Sequence, residues 1–236
     1  NTLTGCGPTS VVRFGPDQFR QANFLETGVT TLQLQGAYSL GDHFFKFGYQ
    51  GQKTDIFNLF VPSSDGVYYF DSIADFQAGR ANRLIYQNAA TGNANDAAAD
   101  FIYYVHSLYG QDTVDLAENL RLTVGARFDW YASDDQPALN PNFQARQGFT
   151  NQATYDGRSV LMPRANLEWE PTDWLDIRAG AGLFSGGIPD VFISNSFSNT
   201  GVLSTGVQIE RLANGQFVET GGNPLFTQAI GAAALN

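Results

Sequence analysis

The chain has 236 residues, with 13 basic and 23 acidic side chains, and its formal net charge of −10 excludes nucleic acid as a partner because no basic patch is present to neutralise phosphates. A single cysteine, Cys6, excludes an internal disulfide, and no Cys/His cluster with zinc-ligand spacing occurs. With 14% aromatic residues and one Met, the composition is typical of an extracytoplasmic β protein.

The first predicted hairpin follows an irregular lead-in of residues 1–27 and covers residues 31–51. Apolar and polar residues alternate there on both sides of a short turn. Because successive side chains of a strand point to opposite faces, the alternation predicts two antiparallel strands with one apolar and one polar face. A long loop is predicted over residues 54–100, with a short strand at 67–70 and a helical turn at 72–79.

The second predicted hairpin covers residues 108–130, with its turn at 115–119, and has the clearest alternation. One face of its second strand carries apolar side chains: Leu120, Leu122, Val124, Ala126, Phe128 and Trp130. The other face carries Arg121, Thr123, Gly125, Arg127 and Asp129. The strand over residues 101–111 is ambiguous, since both of its faces carry aromatic residues.

The third predicted hairpin covers residues 160–184 and repeats the same alternation. A polar loop with two prolines, residues 132–159, separates it from the second hairpin, and a loop rich in Ser and Asn follows it. The short turns therefore lie at one end of the strands and the long loops at the other.

The length of these strands bears on the fold class. About ten residues at ~3.3 Å each, tilted by ~40°, rise roughly 25 Å, which is the height of the apolar band on an outer-membrane β-barrel. A soluble sandwich would instead hide its apolar faces in a protein core. Trp130, Trp169 and Trp174 lie at strand ends, where an interfacial aromatic girdle would place them, and this favours the barrel.

The segment LYGQDTVDLAENLRLTVGARFDW, residues 108–130, resembles the recurring barrel hairpin of TonB-dependent outer-membrane receptors. The residues that carry the match are Gln111, Asp112, Leu120, Thr123, Gly125, Arg127 and Asp129. Four further segments, NLFV, FDSIADF, LMPRANLEWEPTDWLDIRAGAGLFSG and SNSFSNTG, resemble more closely the Oar-like branch of these receptors.

The resemblance implies an all-β fold, a section of an antiparallel transmembrane β-barrel with short periplasmic turns and long extracellular loops. Receptors of this family have a 22-stranded barrel and a plug domain with an energy-coupling box. Neither the plug nor the box is visible here, and residues 229–236 are mostly small. We therefore expect residues 1–236 to be part of one barrel domain, with the plug and the remaining strands outside this chain.

The function implied by the resemblance is TonB-energised uptake of a bulky, scarce substrate across the outer membrane of a Gram-negative bacterium. The implied partners are outer-membrane lipid, a TonB-type protein acting through the plug, and a substrate such as a siderophore, an oligosaccharide or a peptide. Candidate substrate contacts on the lumenal face and loops are Arg127, Asp129, Arg164, Arg178, Tyr68, Tyr69, Trp130, Tyr131 and Phe192. The alternative roles are ion pairing within the barrel or hydrogen bonding to the plug for the charged residues, and packing in a girdle or loop for the aromatic ones.

Enzymatic function is not indicated. The two histidines, His43 and His106, are accompanied by no G-x-S-x-G or H-E-x-x-H motif, so no catalytic residue, cofactor or metal site is predicted. Two other functions remain open at this point. One is a small self-contained outer-membrane pore or adhesin, and the other is a soluble secreted β-sandwich that binds carbohydrate through loop aromatics.

Overall fold

A computed structural model describes residues 11–187 and 189–222, with side chains up to residue 218. The expectations for Cys6 and for residues 229–236 lie outside this description. The strands in the described part are β1 (Ala22–Leu40), β2 (His43–Val61), β3 (Val67–Tyr69), β4 (Arg83–Ala89), β5 (Ala99–Ala117), β6 (Leu120–Ala132), β7 (Ser159–Thr172), β8 (Leu175–Gly182), β9 (Ser204–Arg211) and β10 (Phe217–Gly222). The helices there are α1 (Ile73–Gln77), α2 (Pro141–Gln147), α3 (Asp190–Ser198) and a short 3-10 helix, Ala94–Ala97.

The chain divides into two compact units. Phe24–Asn58 and Ala98–Leu203 form the six-stranded unit, and Asn1–Asn23, Leu59–Ala97 and Ser204–Asn236 form the four-stranded unit. No helix in the described part of the chain is both long enough and apolar enough to cross a membrane.

The sheet of the six-stranded unit has the order β1-β2-β5-β6-β7-β8. Two-residue turns at 41–42, 118–119 and 173–174 join its strands in pairs, which confirms the three predicted hairpins. Gly41 has a φ of +58°, a left-handed conformation that glycine adopts without steric cost and that tight hairpin turns require. The all-β antiparallel fold predicted from the alternation is therefore correct.

Three strands are longer than predicted. β1, β2 and β5 have 19 residues each, so β2 continues to Val61 through the stretch predicted as the start of a long loop. A 19-residue strand extends roughly 60 Å, about twice what a tilted strand needs to cross a bilayer. After Gly51 the two faces of β2 exchange character. Lys53 and Asp55 continue the face that carries Tyr49, whereas the buried Thr54 and Ile56 continue the face that carries Gln50.

The six-stranded sheet exposes its apolar face. Phe128 lies directly opposite Leu108 on β5 and Leu161 on β7, and these side chains are 39%, 52% and 57% exposed. On the other face, Ser107 lies opposite Asp129, and their exposures are 1% and 9%. Apolar side chains at the centre of this sheet are thus exposed where a water-soluble sheet would bury them, and this contradicts the sandwich alternative, which requires a buried apolar face.

The four-stranded unit has a conventional core. Its sheet has the order β10-β9-β4-β3, and Leu84 on β4 lies opposite Ile209 on β9. Both side chains are buried with Ala81 and Val207. The predicted short strand at 67–70 corresponds to β3, and the predicted helical turn at 72–79 to α1.

Two loops of the six-stranded unit contain helices. Within the predicted polar loop 132–159, α2 begins after Asn140, whose Oδ1 accepts hydrogen bonds from the backbone N–H groups of Asn142 and Phe143. The loop predicted after residue 184 contains α3, and its Phe197 ring stacks on Phe101 of β5 at a centroid distance of 4.0 Å.

Candidate functional site

The polar face of the six-stranded sheet holds a hydrogen-bonded network centred on Arg127. The strand register places Gln50, Ser107 and Asp129 in one row across β2, β5 and β6. Arg127 lies two residues from Asp129 on the same face. Its Nε donates to Asp129 Oδ1 at 2.7 Å, and its Nη2 donates to Ser107 Oγ at 2.6 Å. A third, longer contact joins Arg127 Nη1 to Gln50 Oε1 at 3.4 Å.

The burial of Asp129 explains why this network is tightly connected. The Asp129 side chain is 13% exposed, so its carboxylate needs a cation and hydrogen-bond donors to offset the loss of water, and Arg127 supplies a charge-assisted hydrogen bond. The structure thus brings two predicted site residues together as an ion pair, which is the alternative role noted for them. Gln50 and Ser107 were missed by sequence reasoning because only the cross-strand register places them beside Arg127.

A second arginine lies farther along the polar face, on β7. Arg164 Nη2 donates to Gln111 Oε1 on β5 at 2.8 Å. The side chain spans β6 to reach this partner, because the intervening residue in the row is Gly125. Arg164 and Gln111 line an open depression of about 650 Å³ together with Thr123, Asn166, Phe184 and neighbouring backbone.

Arg178 on β8 has a different environment. Its Nη2 lies 2.8 Å from Asp176 Oδ2 on the same strand, and the two side chains are 68% and 43% exposed. Glu168 lies directly opposite Arg178 on β7. A solvent-exposed ion pair of this kind contributes little to stability and leaves the arginine accessible.

The long-loop end of the polar face is covered by α3. Tyr103 on β5 donates a hydrogen bond from its hydroxyl to Asp190 Oδ1 at 3.0 Å. Next to it, Ile56, Phe101 and Phe197 are buried in one apolar cluster. The polar face therefore ends in a small packed core, which explains why both faces of residues 101–111 carry aromatic side chains.

The predicted aromatic contacts are distributed over several surfaces. Tyr131 lies on the polar face of β6 with its ring 5.5 Å from that of Tyr155, and Phe192 is exposed on α3. Trp130 lies on the apolar face. Tyr68 and Tyr69 are exposed on β3 in the four-stranded unit.

Trp130 belongs to an aromatic row on the apolar face. Its ring lies 5.2 Å from that of His106, and the Tyr49 hydroxyl lies 2.7 Å from His106 Nδ1. Ten residues away along β6, Leu120 lies opposite Trp169 on β7. Ten tilted strand residues correspond to roughly 25 Å, so Trp130 and Trp169 are spaced like the two aromatic girdles of an outer-membrane barrel.

Comparison with known proteins agrees with this geometry. Residues 7–227 match the family described as "TonB dependent receptor-like, beta-barrel". Searches of curated proteins and of solved structures found no match. Since the family match covers almost the whole chain, it confirms the outer-membrane localisation and the absence of enzymatic function predicted from the sequence. The chain belongs to the β-barrel family of TonB-dependent receptors, which are non-enzymatic transport proteins of the outer membrane.

Proposed function

We propose that this chain forms a section of the wall of a receptor that takes up a bulky, scarce substrate with energy supplied by a TonB-type protein. The observation that carries the proposal is the distribution of residues in the six-stranded sheet. Its exposed apolar face suits lipid, and its polar face suits a water-filled or protein-filled interior.

The polar face contributes substrate contacts in this proposal. Arg164 and Arg178 are the most accessible of the predicted charged residues, whereas Arg127 and Asp129 bind each other and act mainly in stabilising the wall. Tyr131 contributes from the same face, and Phe192 contributes from α3. Trp130 belongs to the girdle and contacts lipid.

The four-stranded unit contributes a second set of candidate contacts. Tyr68 and Tyr69 are exposed on β3, and the Tyr69 ring lies 5.1 Å from the guanidinium carbon of Arg83. An aromatic ring beside a cation can bind both the apolar and the polar parts of a large organic molecule.

The proposed organisation places residues 1–236 within one barrel domain, with a plug elsewhere in the receptor that couples to the TonB-type protein. The Oar-like resemblance of the segments around β7 and α3 favours a peptide or another complex organic cargo over a simple siderophore. Siderophores and oligosaccharides remain in the set of substrates to be tested.

Transport experiments in the native host test this function. We would compare the parent strain, a strain without the receptor gene, the complemented strain and a strain without the TonB-type protein. Each strain receives a mixture of ferric siderophores, oligosaccharides and peptides, and depletion of each compound from the medium is measured by mass spectrometry. We expect depletion of at least one compound to require both the receptor and the TonB-type protein.

Two results would contradict the proposal. Depletion that requires the receptor but continues without the TonB-type protein would indicate a passive pore. A protein that is extracted from cells without detergent, and that shows no heat-dependent shift on a gel, would not be an outer-membrane barrel.

A further inference from the structure

Arg164 differs from the other arginines of the polar face in having no acidic partner. Arg121, Arg127 and Arg178 each form an ion pair with an aspartate, at 2.8, 2.7 and 2.8 Å. Within the described part of the chain, no carboxylate pairs with Arg164. Its hydrogen bond to the neutral amide of Gln111 leaves other N–H groups of the guanidinium available.

The nearest acidic residue on the same face of β7 is already engaged. Glu168 lies four residues along the strand from Arg164, and Asn166, between them, donates from its Nδ2 to Glu168 Oε1 at 3.4 Å. Glu168 also lies directly opposite Arg178. The wall therefore presents an uncompensated positive charge at Arg164 in a protein whose overall charge is negative.

The backbone on both sides of Arg164 is free of side chains. In the strand register, Gly125 on β6 lies on one side of Arg164 and Gly182 on β8 lies on the other. The next residue of β7 on this face, Asn166, lies opposite Gly180. A Cβ atom at Gly182 would lie 3.0 Å from Arg164 Cβ, so a larger residue there would crowd the arginine.

The resulting depression is open on one side and has a volume of about 650 Å³, so a small organic acid can reach Arg164 from the polar side of the sheet. Arg164 is the one charged side chain among its lining residues, and Gln111 holds one edge of the guanidinium in place. A guanidinium whose other N–H groups are free can bind a carboxylate through two parallel hydrogen bonds.

We propose that Arg164, oriented by Gln111 and flanked by Gly125 and Gly182, is a carboxylate-binding site on the polar face of the sheet. The carboxylate belongs either to a free organic acid or to another segment of the same receptor. This inference rests on the proposed function in one respect: it assumes that the polar face lines the interior of the barrel.

Arginine modification in the purified full-length receptor tests the site, with citrate as the probe. Phenylglyoxal modification of Arg164 blocks tryptic cleavage, so residues 159–178 appear as one peptide in place of 159–164 and 165–178. Citrate at ten times its dissociation constant should slow this modification about tenfold. Arg121, which is paired with Asp115 and is not a candidate substrate contact, serves as the internal reference and should change less than about twofold. Chloride at equal ionic strength controls for screening.

A second experiment, with the variant R164K, tests whether the bound carboxylate comes from the receptor itself. In R164K, a water-soluble carbodiimide would join the lysine amine to a bound carboxylate as an amide, with loss of water, and mass spectrometry identifies the linked peptide. A link to a distant acidic residue supports the receptor's own chain as the source. Protection by citrate without such a link supports a free organic acid.

The proposal is overturned if citrate gives no protection and R164K forms no link, or a link only to Glu168. Neither measurement depends on transport, so this failure is distinguishable from a failure of TonB-dependent uptake. Conversely, if citrate protects Arg164 but the receptor shows no TonB-dependent uptake, the carboxylate-binding site is supported and the proposed function is contradicted.

Discussion

The two sheets of this chain use the same alternation of apolar and polar residues, but one buries its apolar face and the other exposes it. In the four-stranded sheet, Leu84 and Ile209 are each 2% exposed and form a core. In the six-stranded sheet, Leu108 and Leu161 are more than half exposed, whereas Ser107 is 1% exposed. The alternation alone therefore specifies which residues share a face, and the surroundings of the sheet decide which face is buried.

The largest expected effect comes from opening the core of the four-stranded sheet. Ile209→Ala should lower the free energy of unfolding by ~2–5 kcal/mol, because it removes most of a buried side chain that packs with Leu84 and Val207. Hydrogen exchange of β4 and β9 in the full receptor measures the loss. Leu161→Ala, on the exposed apolar face of the other sheet, should change exchange of β6 and β7 by no more than about twofold. Equal effects of the two substitutions would remove the distinction between the sheets.

A charge placed on neighbouring residues of β6 sharpens the comparison between the faces. Val124→Arg puts a cation on the apolar face and should lower the free energy of unfolding in a bilayer by ~2–4 kcal/mol. Thr123→Arg puts the same charge on the polar face and should cost less than ~1 kcal/mol. Urea titration of the receptor folded into lipid vesicles measures both values. Similar costs for the two variants would argue against lipid on the apolar face.

The Arg127 network provides a smaller test of the polar face. Arg127→Met leaves the buried Asp129 carboxylate without its cation and should destabilise the folded receptor by ~1–3 kcal/mol. Arg178→Met removes an exposed ion pair and should cost less than ~1 kcal/mol. The double variant R127M/D129N should recover part of the first loss, measured by the same urea titration. No recovery would mean that Arg127 acts through packing rather than through its charge.

The smallest expected effect concerns α1 in the four-stranded unit. The Ser72 hydroxyl donates to the Asp75 carboxylate at 2.6 Å, and this hydrogen bond, with the nearby Arg80, lowers the pKa of Asp75 below its ordinary value. A lowered pKa in the folded state means that the contribution to stability is present above the ordinary pKa and is lost as pH falls through the lowered one. Carboxyl ¹³C NMR of aspartate-labelled receptor measures the titration. Ser72→Ala should raise the midpoint, and an unchanged midpoint would exclude the hydrogen bond as the cause.

The hairpins of the six-stranded sheet could be predicted because their signals are local. Alternation specifies which residues share a face, and two-residue turns specify antiparallel neighbours. β4 and β9 could not be predicted in this way, because their pairing joins Leu84 to Ile209 across a long stretch of chain. The helix α3 was also missed, since its Ser and Asn residues are poor helix formers and its position depends on the stacking of Phe197 on Phe101.

The candidate site was predictable in part, because alternation within each strand is a local signal. Alternation placed Arg127, Asp129 and Arg164 on one face, but their partners depend on the register between strands. Gln111 was recognised only as part of a motif, and Gly182 only as part of the segment LMPRANLEWEPTDWLDIRAGAGLFSG. Their joint position around Arg164 follows from the pairing of β5, β6, β7 and β8, which a single sequence does not contain.

The length of β1, β2 and β5 has a consequence for what approaches the cell from outside. About ten of their 19 residues suffice to cross the bilayer, so the rest extend a continuous sheet roughly 20 Å beyond it. An antibody or a bacteriophage that binds this part of the receptor would contact hydrogen-bonded β structure, with α3 packed against one of its faces, rather than a flexible loop alone. Such an epitope is conformational, and heating the receptor would abolish recognition even though every residue of the epitope is still present.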